Sequence, residues 1–86
     1  MNSWYVYILL CEGDKLYTGI ARDVTARFTL HQAGKGAKYT MRNKPVKIVY
    51  TEEHDSMSSA RLREVTIKKM SRAQKDVLLE QNIPLC

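Results

Sequence analysis

WYVYILLC (residues 4–11), EGD (12–14) and KLYTGI (15–20) read together as two strands and the turn that joins them. From Trp4 to Leu10 aromatic and branched residues alternate. Trp4, Val6, Ile8 and Leu10 take one face and Tyr5, Tyr7 and Leu9 the other, the period of two that a strand requires. Glu12, Gly13 and Asp14 supply turn chemistry, and Lys15 to Ile20 forms the return strand. Pairing Cys11 with Lys15 across the three-residue loop sets Leu9 opposite Tyr17 and Tyr7 opposite Gly19. In that register Tyr7 and Tyr17 are diagonal neighbours on one face, and Gly19 leaves space beside the Tyr7 ring. A slip of one residue would separate the two phenols.

Beyond the hairpin the period changes. Asp23 is a good N-cap and Gly34 a good stop for a helix from Val24 to Ala33, in which Val24 and Phe28 share a face. Arg27 and His31, four apart, project along one side of it, at one edge of the contact with the sheet. Gly34 to Thr40 reads as a mobile basic loop closed by Pro45, and Val46 to Thr51 alternates again as a third strand. A second helix is expected from Asp55 or Ser56 to about Met70, with Met57, Ala60, Glu64 and Ile67 on the face that meets the protein. Ser71 and Gln74 have the spacing of a capping box, opening a third short helix that carries Val77 and Leu78. The order is then β-β-α-β-α-α.

Eighty-six residues are enough for one thin core and too few for two, so residues 1–86 are read as one domain. Lys and Arg number 14 against 9 Asp and Glu, a formal charge of +5 that favours polyanionic partners. The cations cluster. Arg22, Arg27, Lys35, Lys38, Arg42, Lys44 and Lys47 face only Asp23 within their span, and Arg61 to Lys75 holds six cations against Glu64, so both blocks are phosphate-facing candidates as well as ordinary solvated surfaces. No apolar run reaches membrane-spanning length and the amino terminus lacks the features of a signal peptide, which makes a cytoplasmic chain without membrane contact the expectation. Cys11 and Cys86 lack paired spacing, which argues against a zinc site or a disulfide framework.

Taken singly, the chemical residues have plain explanations. Tyr7 and Tyr17 are ordinary strand tyrosines, Arg27 is a solvated helix residue or a partner of Asp23, and His31 caps or packs. Glu64 is less ordinary, because an inward carboxylate asks for a cation, whether a metal ion or the guanidinium of Arg27 or Arg22. Taken together, they are a phenol pair to move protons, a guanidinium to hold phosphate and a carboxylate to hold a metal, the groups that cleaving a phosphodiester needs.

Tyr7, ten residues to Tyr17, two to Gly19, eight to Arg27 and four to His31, with Glu64 on the next helix, resembles the GIY-YIG nuclease superfamily from Trp4 to about Leu79. Tyr5-Val6-Tyr7 stands where Gly-Ile-Tyr is typical, and Tyr17-Thr18-Gly19 where Tyr-Ile-Gly is. With Gly34 to Thr40, these variants look like the short, single-domain, poorly characterised branch.

The resemblance implies an α/β chain of the α+β type, with a small three-stranded antiparallel sheet flanked by helices. It also implies hydrolysis of DNA with one Mg²⁺ or Mn²⁺ ion, with structure-selective roles in repair or recombination. Carried over by position, Tyr7 is the general base, directly or through a relay, and Tyr17 orients the water or a phosphate oxygen. Arg27 stabilises the pentacoordinate phosphate, His31 assists by hydrogen bonding or proton transfer, and Glu64 ligates the metal. A phenol of ordinary pKa, ~10, is mostly protonated at neutral pH, so Lys15, Arg22 or Arg27 is expected to assist it. Arg22, Lys35, Lys38, Tyr39, Arg42 and Lys44 are the expected nucleic-acid contacts, with Tyr39 stacking on a base or anchoring its loop. Two rivals stand beside the nuclease: a non-catalytic nucleic-acid-binding module on the same scaffold, and an adaptor whose basic face meets an acidic protein. Specificity would come from a protein partner, a dimer or a distinctive DNA shape.

Overall fold

The computed structural model describes residues 3–81. Its elements are β1 (Trp4–Cys11), β2 (Lys15–Ala21), α1 (Val24–Gln32), α2 (Lys38–Arg42), β3 (Pro45–His54), α3 (Met57–Lys68) and α4 (Arg72–Gln81). The sheet runs β2-β1-β3 with both pairings antiparallel. The hairpin register is the one expected, with Cys11 opposite Lys15, Leu9 opposite Tyr17 and Tyr7 opposite Gly19. Its tight loop puts Gly13 at φ +78 and Asp14 at φ +59, conformations that glycine and aspartate enter at least cost.

As the central strand, β1 is covered on both faces, and its alternation sorts the molecule. Val6 and Ile8 point into a core shared with Tyr50, Ala60, Ile67 and Leu78, on the side of α3 and α4. Tyr7, Leu9 and Cys11 point the other way, toward Val24 and Phe28 of α1. Thr18, paired with Ile8, carries a buried hydroxyl that finds no hydrogen-bond partner among the described residues.

The helix signals act as expected at the caps. Asp23 accepts from the Ala26 amide, Ser56 from the Ser59 amide, and Ser71 and Gln74 bond each other's backbone amides reciprocally. Three expectations change. The segment read as a loop contains α2, a short helix whose first turn gathers the Thr40 and Met41 amides onto the Ala37 carbonyl. The third strand extends to His54, because continued pairing with β1 satisfies its backbone. Met57 is exposed, since the buried stripe of α3 starts only at Ala60.

A polar hub fixes α3 against β3. Glu52 accepts from Arg63 Nε through both oxygens at 3.2 Å and from the Tyr50 hydroxyl. His54, held between Glu52 and Ser59, ties the helix's first turn to the same carboxylate. Arg63 adjoins Glu64, so this clamp on the helix sets where Glu64 lies. Among the described residues no helix is long and apolar enough to cross a membrane.

Candidate active site

Four elements bring one group of side chains to the α1 face of the hairpin. Tyr7 comes from β1, Tyr17 and Gly19 from β2, His31 from the last turn of α1, and Thr40 from α2. The Tyr7 and Tyr17 ring centroids are 6.4 Å apart, and His31 is 5.1 Å from Tyr17 and 6.1 Å from Tyr7. Tyr39 stacks on the outer side of Tyr17 at 5.8 Å and is 40 % exposed, so it anchors its segment while keeping part of its ring at the surface.

Glycine is required where the backbone touches these rings. A Cβ on Gly19 would lie 2.5 Å from the Tyr7 hydroxyl, and one on Gly36 would collide with Nδ1 of the His31 imidazole. The two glycines let the backbone lie directly against the phenol and the imidazole. The Tyr7 hydroxyl meets His31 Nε2 at 2.9 Å, His31 Nδ1 meets the Thr40 hydroxyl at 2.7 Å, and Thr40 donates to the Ala37 carbonyl at 2.9 Å. His31 and Thr40 are each 2 % exposed. Sequence spacing brought out Tyr7, Tyr17, Gly19 and His31, but not Thr40 or Gly36. Both belong to the string that seemed a loop, and only α2 turns Thr40 inward.

The electrostatics differ from expectation. Burial, then the neighbouring Tyr17 and the charge of Glu64, hold the Tyr7 phenol far above its ordinary range; Arg27 opposes this and is outweighed. Tyr17 is raised in the same way by burial and then Glu64. Cations therefore do not make either phenol acidic. His31 is lowered, first by burial and then by Arg27, which keeps the imidazole neutral at physiological pH.

Glu64 acts on both phenols through its charge while its side chain is 14 % exposed. It pairs with Lys68 at 3.4 Å, one turn along α3, and with neither Arg27 nor Arg22. Arg27 is exposed and forms no ion pair among the described residues. No group of three His, Cys, Asp or Glu that could cage a metal occurs among those residues. One hard carboxylate reaching the surface next to two phenols does fit Mg²⁺ or Mn²⁺, which bind through one or two carboxylates and fill the remaining positions with water and phosphate oxygens.

Two groups of cations line clefts. Lys15, Lys38, Tyr39, Arg42 and Asn43 line a cleft of about 560 Å³ beside the aromatic stack. Arg22 and Arg27 line a smaller one with Trp4 and Leu30, where the Arg22 guanidinium lies 5.2 Å from the Trp4 ring. Lys35 and Lys44 are exposed and line neither.

This geometry has relatives. A family described as the GIY-YIG catalytic domain matches residues 3–76. A UPF0213 protein of Staphylococcus haemolyticus is 48% identical over 94% of this chain and 99% of its own length. A UPF0213 protein of Cupriavidus necator is 44% identical over 93% of this chain and 87% of its own. Among solved structures, the solution structure of the UPF0213 protein BH0048 from Bacillus halodurans superposes with a TM-score of 0.60 at 39% identity, covering 92% of this chain and 84% of that one. The E. faecalis protein EF2693 gives 0.64 at 34% identity, covering 94% and 86%.

Proposed function

The chain belongs to the GIY-YIG catalytic-domain family, among its UPF0213 members, and on that premise we propose that it is a divalent-metal-dependent endonuclease that hydrolyses DNA phosphodiester bonds. The observation that carries the proposal is the continuous contact from Tyr7 through His31 to Thr40, set beside Tyr17 and within reach of the Glu64 charge.

In this reading Tyr7 takes the proton of the attacking water, and His31 receives the proton that Tyr7 gives up. Tyr17 orients the water or a phosphate oxygen. Arg27, free of an acidic partner among the described residues, offers a planar fork to two phosphate oxygens, a geometry lysine does not reproduce. Glu64 would hold the cation, whose chemistry is to polarise the scissile phosphate and stabilise the departing oxygen. The Lys15, Lys38 and Arg42 cleft carries the strand away from the site, and Arg22 extends the contact on the other side.

Labelled duplex, nicked, branched and single-stranded DNA, incubated with Mg²⁺, Mn²⁺ or EDTA, tests this reading. Cleavage is expected with the metals and not with EDTA. Glu64→Gln is expected to bind DNA at wild-type strength and to cleave it at background rate, because the amide keeps the shape and loses the charge. Salt-sensitive binding with no cleavage under any of these conditions would select a non-catalytic binding module instead.

A further inference from the structure

We propose that Thr40 is a positioning residue that holds His31 as the tautomer protonated at Nδ1, leaving Nε2 bare to receive the phenolic proton of Tyr7. Counting hydrogens sets the direction of the chain. A neutral imidazole carries one ring hydrogen and each hydroxyl carries one, so three hydrogens are shared among Tyr7, His31, Thr40 and the Ala37 carbonyl, which has none to give. If Thr40 donates to Ala37, it accepts from Nδ1–H, Nε2 accepts from Tyr7, and every hydrogen has an acceptor. In the reverse direction Thr40 donates to Nδ1 and Nε2–H donates to the Tyr7 oxygen. The Tyr7 hydrogen then has no acceptor among the described residues, in a side chain 2 % exposed. The Gly36 backbone lies against the Nδ1 side of the imidazole, where a larger residue would collide with the ring.

The consequence for rate rests on the nuclease reading, whereas the tautomer itself does not. With DNA bound, and only then, a water is set against the Tyr7 oxygen; as its O–H bond breaks, its hydrogen passes to that oxygen while the hydrogen already on Tyr7 passes to His31 Nε2. The phenol stays neutral throughout, hydroxide adds to phosphorus as the bond from phosphorus to the leaving oxygen breaks, the departing oxygen takes a proton from solvent, and the positive charge rests on an imidazolium whose Nδ1–H is still held by Thr40. The proton afterwards returns through Tyr7 to solvent. No free phenolate forms, in keeping with the burial that keeps Tyr7 protonated.

Long-range ¹H–¹⁵N correlation spectra of the full chain, recorded without metal at a pH where His31 is neutral, read the tautomer directly. A His54→Gln variant assigns the two histidines. Wild-type protein is expected to show hydrogen on Nδ1 and a bare Nε2. Thr40→Val, which keeps the shape and removes the acceptor, is expected to shift the population toward Nε2–H, and Thr40→Ser to restore Nδ1–H. A bare Nδ1 in the wild type overturns the proposal, as does an unchanged tautomer in folded Thr40→Val. If Thr40→Val does not fold, the wild-type and Thr40→Ser spectra still decide. In cleavage assays Thr40→Val is expected to lose about tenfold or more in kcat with little change in KM, and Thr40→Ser to recover it. An Nδ1–H tautomer in a protein that cleaves nothing supports the assignment and sinks the nuclease reading alone.

Discussion

Adjacent side chains on β1 meet opposite surroundings. Val6 and Ile8 enter a core whose other members are Tyr50, Ala60, Ile67 and Leu78, whereas Tyr7 enters a face where buried polar groups are bonded in series. On the first face, apart from the Tyr50–Glu52–Arg63 hub, Thr18 leaves its buried hydroxyl unpaired among the described residues; on the second face His31 and Thr40 are satisfied at every side-chain polar atom. A thin sheet thus separates apolar packing from proton chemistry by the thickness of one strand. Burial does different work on the two sides. Under α3 and α4 it removes apolar surface from water, and under α1 and α2 it sets the ionisation of Tyr7 and His31.

The largest effect that would break this contrast lies on the polar face. Tyr7→Phe removes one oxygen and is expected to lower the single-turnover cleavage rate by roughly 10²- to 10⁴-fold, with DNA affinity little changed. The wild-type rate should be level across neutral pH and fall on acidification. His31 is lowered from its ordinary 6.5, so it stays neutral down to below that value and loses its capacity to accept a proton only when it is itself protonated. A near wild-type rate for Tyr7→Phe, or a rate that climbs as pH drops, would remove the polar face from the chemistry.

Next comes a truncation on the apolar face. Ile67 is fully buried, and Ile67→Ala is expected to cost about 2–5 kcal/mol in denaturant unfolding while the rate per folded molecule stays the same. Loss of specific rate at undiminished stability would show that the two faces are not separable.

The smallest change sharpens the comparison. Thr18→Val replaces an unpartnered buried hydroxyl by a methyl of the same shape, and the unfolding free energy should rise by about 1 kcal/mol. The equivalent change at Thr40 should destabilise, because that hydroxyl is bonded on both sides. Destabilisation by Thr18→Val would mean that the hydroxyl has a partner after all.

The hairpin register, the helix caps and the alternation of the strands were legible in the chain because each rests on neighbours within a few residues: Glu12 to Asp14 at the turn, Asp23 and Ser71 at the caps, Tyr7 and Tyr17 through their pairing. Spacing also singled out Tyr7, Tyr17, Gly19, Arg27, His31 and Glu64. What the sequence could not carry were the contacts made across elements. Nothing local shows that Thr40 turns onto His31 or that Gly36 lies against its ring, whereas the Glu64–Lys68 pair is an i,i+4 contact within α3 that the spacing did carry. The ionisation of the phenols was misjudged for the same reason. Their cations can be counted along the chain, but desolvation, which outweighs those cations, exists only once the sheet and helices have closed around the side chains.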